Sequence, residues 1–292
     1  MVPDRMLTTL RSPWRGNKAR LWLLPILIVS VVSLCGCTKD LVTGKRTYNF
    51  FSLKTDIKMG KEVLSQQLGE FRLKGVKVDN DPEMVGRIRE MVTKIAVISH
   101  IPQFPYEAHY ARVPIANAWC APGGKIMVYE GLFSEKDGLV DRNKEAELAA
   151  VLGHEIAHAT CRHVVETASR NTSFLFIGQL IAVFLAQSGA STSGDLFKEV
   201  FTQGMNIYVP AYSRKNESEA DRVGIIYMAK AGYDPRAAVE LWKRAAAKAG
   251  KNDKTSITAS HPANGERARN LEAILPQAIA EYEKTRSPLG QP

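Results

Sequence analysis

The stretch AAVLGHEIAHATCRH, residues 149–163, is apolar enough to lie in a core, yet it carries three histidines, a glutamate and a cysteine. Burying ionisable groups is costly unless something pairs with them. The helix that this segment predicts must therefore meet a partner in the interior. His154 and His158 stand four apart, one turn along and about 40° apart around the axis, so two imidazole nitrogens can meet one ion. With Glu155 after the first histidine the segment reads H-E-x-x-H. That is the spacing of a zinc site, one zinc per chain, whose glutamate takes a proton from the attacking water and returns it to the leaving amine. Glu155 is thus expected as general base rather than ligand. His163 projects from the opposite face of a continued helix and reads as a surface histidine.

Catalytic zinc usually has three protein ligands and one open position. The continuation HATCRH lacks the Gly and His of an H-x-x-G-x-x-H extension, so the third ligand must come from elsewhere. In NESEAD, residues 216–221, Glu217 and Asp221 share a helix face, whereas Glu219 points about 200° away from Glu217. Glu217 is the candidate ligand, and Asp221 the acceptor for the outward nitrogen of a ligand histidine, which fixes its tautomer. An acidic solvent-facing helix is the alternative reading of the same residues.

The N-terminal segment has a different character. A basic stretch, an uncharged apolar run LWLLPILIVSVVSL and a small-residue end LCGC read as a bacterial secretion signal over residues 1–36. LCGC resembles the lipobox of bacterial lipoproteins, which makes Cys37 the acylated N-terminus of the mature chain, and Thr38 after it favours the outer membrane. The protein is then expected at the periplasmic side of the envelope, held to the membrane by lipid. Five basic residues and Asp4 lie in this segment, so the net charge falls from +9 for the whole chain to +5 for the remainder. With acids interspersed and no basic stripe, this excludes a nucleic-acid partner. Of the four cysteines, only Cys120 and Cys161 remain as thiols in an oxidising compartment.

The rest is organised as a lipidated tether (37–54), one folded domain (55–275) and a C-terminal tail (276–292). An amphipathic helix capped by Thr55 or Asp56 comes first, then a helix with Asp81 as N-cap and Pro82 at its first position. YEAHYARV, ANAWCA and KIMVYEG alternate like short strands around a PGG turn. Helical spacing then returns over residues 143–170. FLFIGQLIAVFLA, residues 174–186, reads as a packed helix, and SGASTSGD as a loop. YSRKNESEADRVGIIYMAKAGY reads as a further helix, another begins at Asp234 and Pro235, and the terminal SPLGQP is expected to be disordered.

Four blocks in order, NAWCAPGGKIMVYEGL, HEIAH, YSRKNESEADRVG and SHPANGER, resemble the HtpX, BepA, LoiP and CAAX-prenyl-protease family of zinc metallopeptidases, and its lipoprotein members most. The resemblance implies an α+β, mainly helical zincin (gluzincin) fold with a small sheet beside the active-site helix. It implies His154, His158 and Glu217 as ligands, Glu155 as base and Asp221 behind the ligands. It makes Asn117, Ala118, Trp119, Cys120 and Ala121 the sheet edge that pairs with an extended substrate. It places His261 and Arg267 near the metal, Arg267 as oxyanion partner and His261 either in that role or occupying the open position at rest. The fold would also bring Cys120 over the face that carries Cys161, predicting a disulfide between them. The implied function is a lipid-anchored zinc endopeptidase that cleaves unfolded or misassembled envelope proteins. A latent or chaperone-like assembly factor on the same fold is the alternative.

Overall fold

The structure is a computed structural model that describes residues 37–136, 138–171, 212–249, 261 and 265–286. The expected signal segment, the apolar stretch 174–186, the loop 188–195 and the terminal SPLGQP lie outside the described residues. The chain divides into two compact units. One, residues 1–37 and 171–205, lies outside the described residues except for Cys37 and Asn171; the other, residues 38–170 and 206–292, holds the site. Among the described residues no helix is long and apolar enough to cross a membrane.

The stretch expected as a tether is folded. It forms the two-stranded sheet β1 (Cys37–Lys39) and β2 (Arg46–Tyr48), turned by Asp40, whose buried carboxylate accepts from the amides of Val42 and Thr43. Helix α1 (Leu53–Leu73) follows, with Ser52 as its N-cap in place of Thr55 or Asp56. Asp56 is buried instead and takes two hydrogen bonds from Arg162, at 2.6 and 2.8 Å. Helix α2 (Pro82–Val97) starts as its sequence dictates, Asp81 accepting from the amide of Met84.

Three strands form the second sheet: β3 (Glu107–Ala111), β4 (Ala118–Ala121) and β5 (Lys125–Tyr129), in the order β3-β5-β4. β4 and β5 are an antiparallel hairpin, and β3 runs parallel to β5. The turn needs Gly123 and Gly124 at φ 71° and 79°, where a Cβ would be strained. β4, the expected substrate edge, does stand at the edge of this sheet, with Asn117 just before it accepting from the amide of Tyr129. Its side chains alternate: Ala118 and Cys120 enter the main core, while Trp119 and Ala121 pack with Leu64 and Phe71 of α1.

Helix α3 (Glu145–Thr160) is the centre of the unit, buried at every residue from Glu147 onward. A helix apolar all round belongs inside a fold, and α3 packs against α2, β4, α4 (Arg214–Lys230) and α5 (Arg236–Ala249). The long helix expected over residues 143–170 is broken. α3 ends at Thr160, Arg162 takes φ 58°, and helical geometry resumes at residue 163. The left-handed arginine costs about 1–2 kcal/mol, and its guanidinium is held by Asp56 and by the carbonyl of Phe51 at 2.6 Å. This break turns His163 back into the core, where it is 1% exposed, so the reading of a surface histidine is corrected.

Two further expectations change. Helix α6 (Gly265–Arg286) runs through Pro276 and buries Ala278, so residues 276–286 belong to the domain rather than to a tail. Cys120 and Cys161 are both buried free thiols, not a disulfide. Cys161 caps the end of α3, with Asp40, Glu219 and Arg222 nearby, whereas Cys120 has Glu155 and Lys125 nearby. Burial pushes both thiols above their usual range. Thiol labelling of the unreduced, denatured mature protein should therefore find both cysteines reactive, and finding neither would restore the bridge.

Candidate active site

Two glycines set how closely the helices that carry the site approach. Gly153 of α3 and Gly224 of α4 face each other, and a Cβ built on Gly224 would lie 2.8 Å from the backbone of Gly153 and His154. No side chain fits there, so the two backbones cross in direct contact. Ser213 caps α4 through the amide of Asn216, and one face of its first turns lies against H-E-x-x-H.

His154 Nε2 and His158 Nε2 stand 3.0 Å apart. Glu217 Oε2 lies 3.5 Å from the first and Oε1 3.4 Å from the second. His261 adds Nδ1, 3.2 Å from His154 Nε2 and 3.0 Å from Glu217 Oε1. One donor atom from each of the four residues lies within 4.8 Å of the others, and all four residues are buried. Ring nitrogens this close present lone pairs to one another unless a proton or a cation stands between them. Three imidazoles and a carboxylate form a donor set that suits zinc.

Glu155 stands beside this set. Its Oε1 is 3.3 Å from His261 Nε2, without a hydrogen bond, and its Oε2 has no hydrogen-bond partner among the described residues. Burial raises the Glu155 pKa, the direction that strengthens a carboxylate as a base. Burial would lower His154, but the carboxylates of Asp221 and Glu217 raise it to about 9. His158, without an acid at its outer nitrogen, is pushed well below its usual range by burial. Against its own burial, Glu217 is held below the usual carboxylate range by bonds from the three histidines.

Behind the ligands, His154 Nδ1 lies 3.0 Å from Asp221 Oδ1. Arg267 from α6 grips Asp221 at 2.6 and 2.8 Å, reaches Glu217 Oε2 at 2.7 Å, and lies over the Trp242 ring at 3.8 Å. Arg267, expected near the metal as oxyanion partner, thus lies among the ligands with its guanidinium paired to two carboxylates. Two buried carboxylates need a cation more than a transient charge does, and the guanidinium is drawn to them. Sequence reasoning missed Trp242 and Tyr212, whose ring stacks on His158 with centroids 3.8 Å apart. Trp242 reads as core in a helix, and Tyr212, the first residue of the block YSRKNESEADRVG, stands before α4 with no chemical signal of its own. His163, also missed, lies against the outer nitrogen of His158.

An H-E-x-x-H helix, a glutamate from a second helix and an acid behind the first histidine define a zincin-type metallopeptidase site. The family model described as Peptidase family M48 matches residues 82–275, and the chain belongs to that family, whose members use zinc. It is 31% identical to the mitochondrial metalloendopeptidase OMA1 of Schizosaccharomyces pombe over 83% of this chain and 67% of that protein. The OMA1 protein of Arabidopsis thaliana is 30% identical over 71% of this chain and 40% of its own length. The β-barrel assembly-enhancing protease of Escherichia coli K12 is 27% identical over 64% of this chain and 38% of its own length. The chain therefore spans two thirds of one of these relatives and two fifths or less of the other two.

Proposed function

We propose that the protein is a zinc endopeptidase, anchored by lipid at Cys37 to the periplasmic side of the envelope, whose clients are unfolded or misassembled envelope polypeptides. The observation that carries the catalytic part is the buried convergence of His154, His158 and Glu217 with the unpartnered oxygen of Glu155 beside them. When bound, zinc polarises the scissile carbonyl and acidifies the attacking water. His154, His158 and Glu217 would hold it, and Asp221 keeps the His154 proton on Nδ1 so that Nε2 faces the metal. Glu155 takes the proton from water and returns it to the leaving amine. β4, at the sheet edge beside α3, suits an extended substrate strand. A bacterial relative named for β-barrel assembly and the lipobox-like LCGC support the envelope setting. Incorporation of radiolabelled palmitate, lost in Cys37→Ser, is the expected result for the anchor; equal labelling of both chains would remove it.

His261 favours a latent form of this enzyme. Its Nδ1 joins the ligand set and its Nε2 approaches Glu155, which is where water and a substrate carbonyl must enter. A fourth protein ligand closes a site that catalysis needs open, which supports a resting state from which His261 must withdraw before substrate binds. If only a fraction of molecules is open, removing the plug raises the apparent rate by the inverse of that fraction. His261→Ala should then increase cleavage of an unfolded substrate such as casein. A fall in kcat with unchanged KM would instead make His261 a stabiliser of the transition state.

A further inference from the structure

The two ligand histidines of α3 are supported differently. His154 has a carboxylate, Asp221, directly at its outer nitrogen. His158 has another imidazole: His163 Nδ1 lies 2.9 Å from His158 Nδ1, and His163 Nε2 lies 3.2 Å from Glu219 Oε2. His163 is fully buried and serves no step described above, while Glu219 is the acid that helical geometry turns away from the metal. With His158 Nε2 facing a metal, only one neutral arrangement satisfies every contact. His158 Nδ1–H donates to His163 Nδ1, and His163 Nε2–H donates to the Glu219 carboxylate.

We infer that His163 and Glu219 are positioning residues that set the tautomer and ring orientation of His158 for the metal, through an imidazole inserted between ligand and carboxylate. The inference rests on the reading of His154, His158 and Glu217 as a zinc site. The break at Arg162 gives it a cause in the fold: a continued helix would carry His163 to the far face, and φ 58° at Arg162 brings it back against His158. Lys45 stands 3.9 Å from Glu219, so the outer end of the relay faces a cation.

The same residues have one rival use. Cys161, His163 and Glu219 place donor atoms within 4.8 Å of one another, as a second metal site would. The positive charge around them speaks against it. Lys45, Lys215, Arg214 and Arg222 line the cavity of about 310 Å³ into which Glu219 faces, and His163 Nδ1 is already engaged by His158. A relay tolerates those cations, whereas a second divalent ion is repelled by them.

The test is zinc affinity of the mature chain by chelator competition, together with metal stoichiometry and the visible spectrum of the cobalt-substituted protein. Outer partners of metal-bound histidines contribute about 10–100-fold in affinity. His163→Leu should weaken zinc by that factor and alter the cobalt bands. His163→Asn, which keeps an acceptor near the place of Nδ1, should recover part of the loss. Glu219→Ala should weaken zinc less than His163→Leu does, and Glu219→Gln less again; these two variants decide the matter if His163→Leu does not fold. Cys161→Ala should bind as the parent does. Unchanged zinc affinity and cobalt spectra in the folded His163 and Glu219 variants would overturn the relay while leaving the zinc site standing. A second zinc equivalent lost with Cys161→Ala would replace it with the rival site, and a parent chain that binds no zinc would sink both readings.

Discussion

Glu155→Gln should abolish peptide hydrolysis while leaving zinc bound. General bases contribute about 10²–10⁴-fold to turnover, and loss within that range is expected on casein. The substitution isolates one property. Glutamine keeps the volume and one carbonyl oxygen of the side chain but cannot accept a proton from water at neutral pH. Stability should not suffer, because an isolated buried carboxylate is replaced by a neutral amide. The position of Glu155 outside the set formed by His154, His158, Glu217 and His261 predicts full metal content in the variant. Cleavage equal to that of the parent would end the assignment of Glu155 as base. Loss of metal together with activity would make it a ligand instead.

How much of this site was legible depended on whether the signal was local. H-E-x-x-H needs only helical spacing, and Glu217 with Asp221 needs only the rule that residues four apart share a face. The structure places all of them together. The same rule failed for His163, because it assumes an unbroken helix and the break at Arg162 is set by Asp56, more than a hundred residues earlier in the chain. The ion pairs of Arg267 were not legible for a related reason. Its charge was visible, but the choice between an oxyanion and the carboxylates of Asp221 and Glu217 depends on which groups are buried around it. The glycine crossing at Gly153 and Gly224 left no trace in hydrophobic patterning, since a missing side chain has no period. The strands and their turn were legible from alternation and PGG, whereas the strand order β3-β5-β4 is a tertiary fact.

Glu217→Ala should remove zinc, with affinity falling by more than the roughly 100-fold that marks the upper end for residues outside the ligand set. Glu219→Ala, two positions along the same helix, should still fill with zinc at saturating metal. The contrast follows from direction. Glu217 places both oxygens within 3.5 Å of the ligand histidines, whereas Glu219 reaches His163 on the outer side of His158. Glu217 is also the anion that Arg267 Nη1 meets at 2.7 Å, so its removal leaves a buried guanidinium with less compensation. Breaking a buried pair from one side costs about 3–5 kcal/mol, and the metal-free fold should melt lower by a corresponding margin. Glu217→Gln separates charge from packing, because it preserves the side-chain volume while removing the negative charge that both zinc and Arg267 need. Metal analysis beside thermal melts reads both quantities, and zinc retained by Glu217→Ala but lost by Glu219→Ala would reverse the assignment of the third ligand.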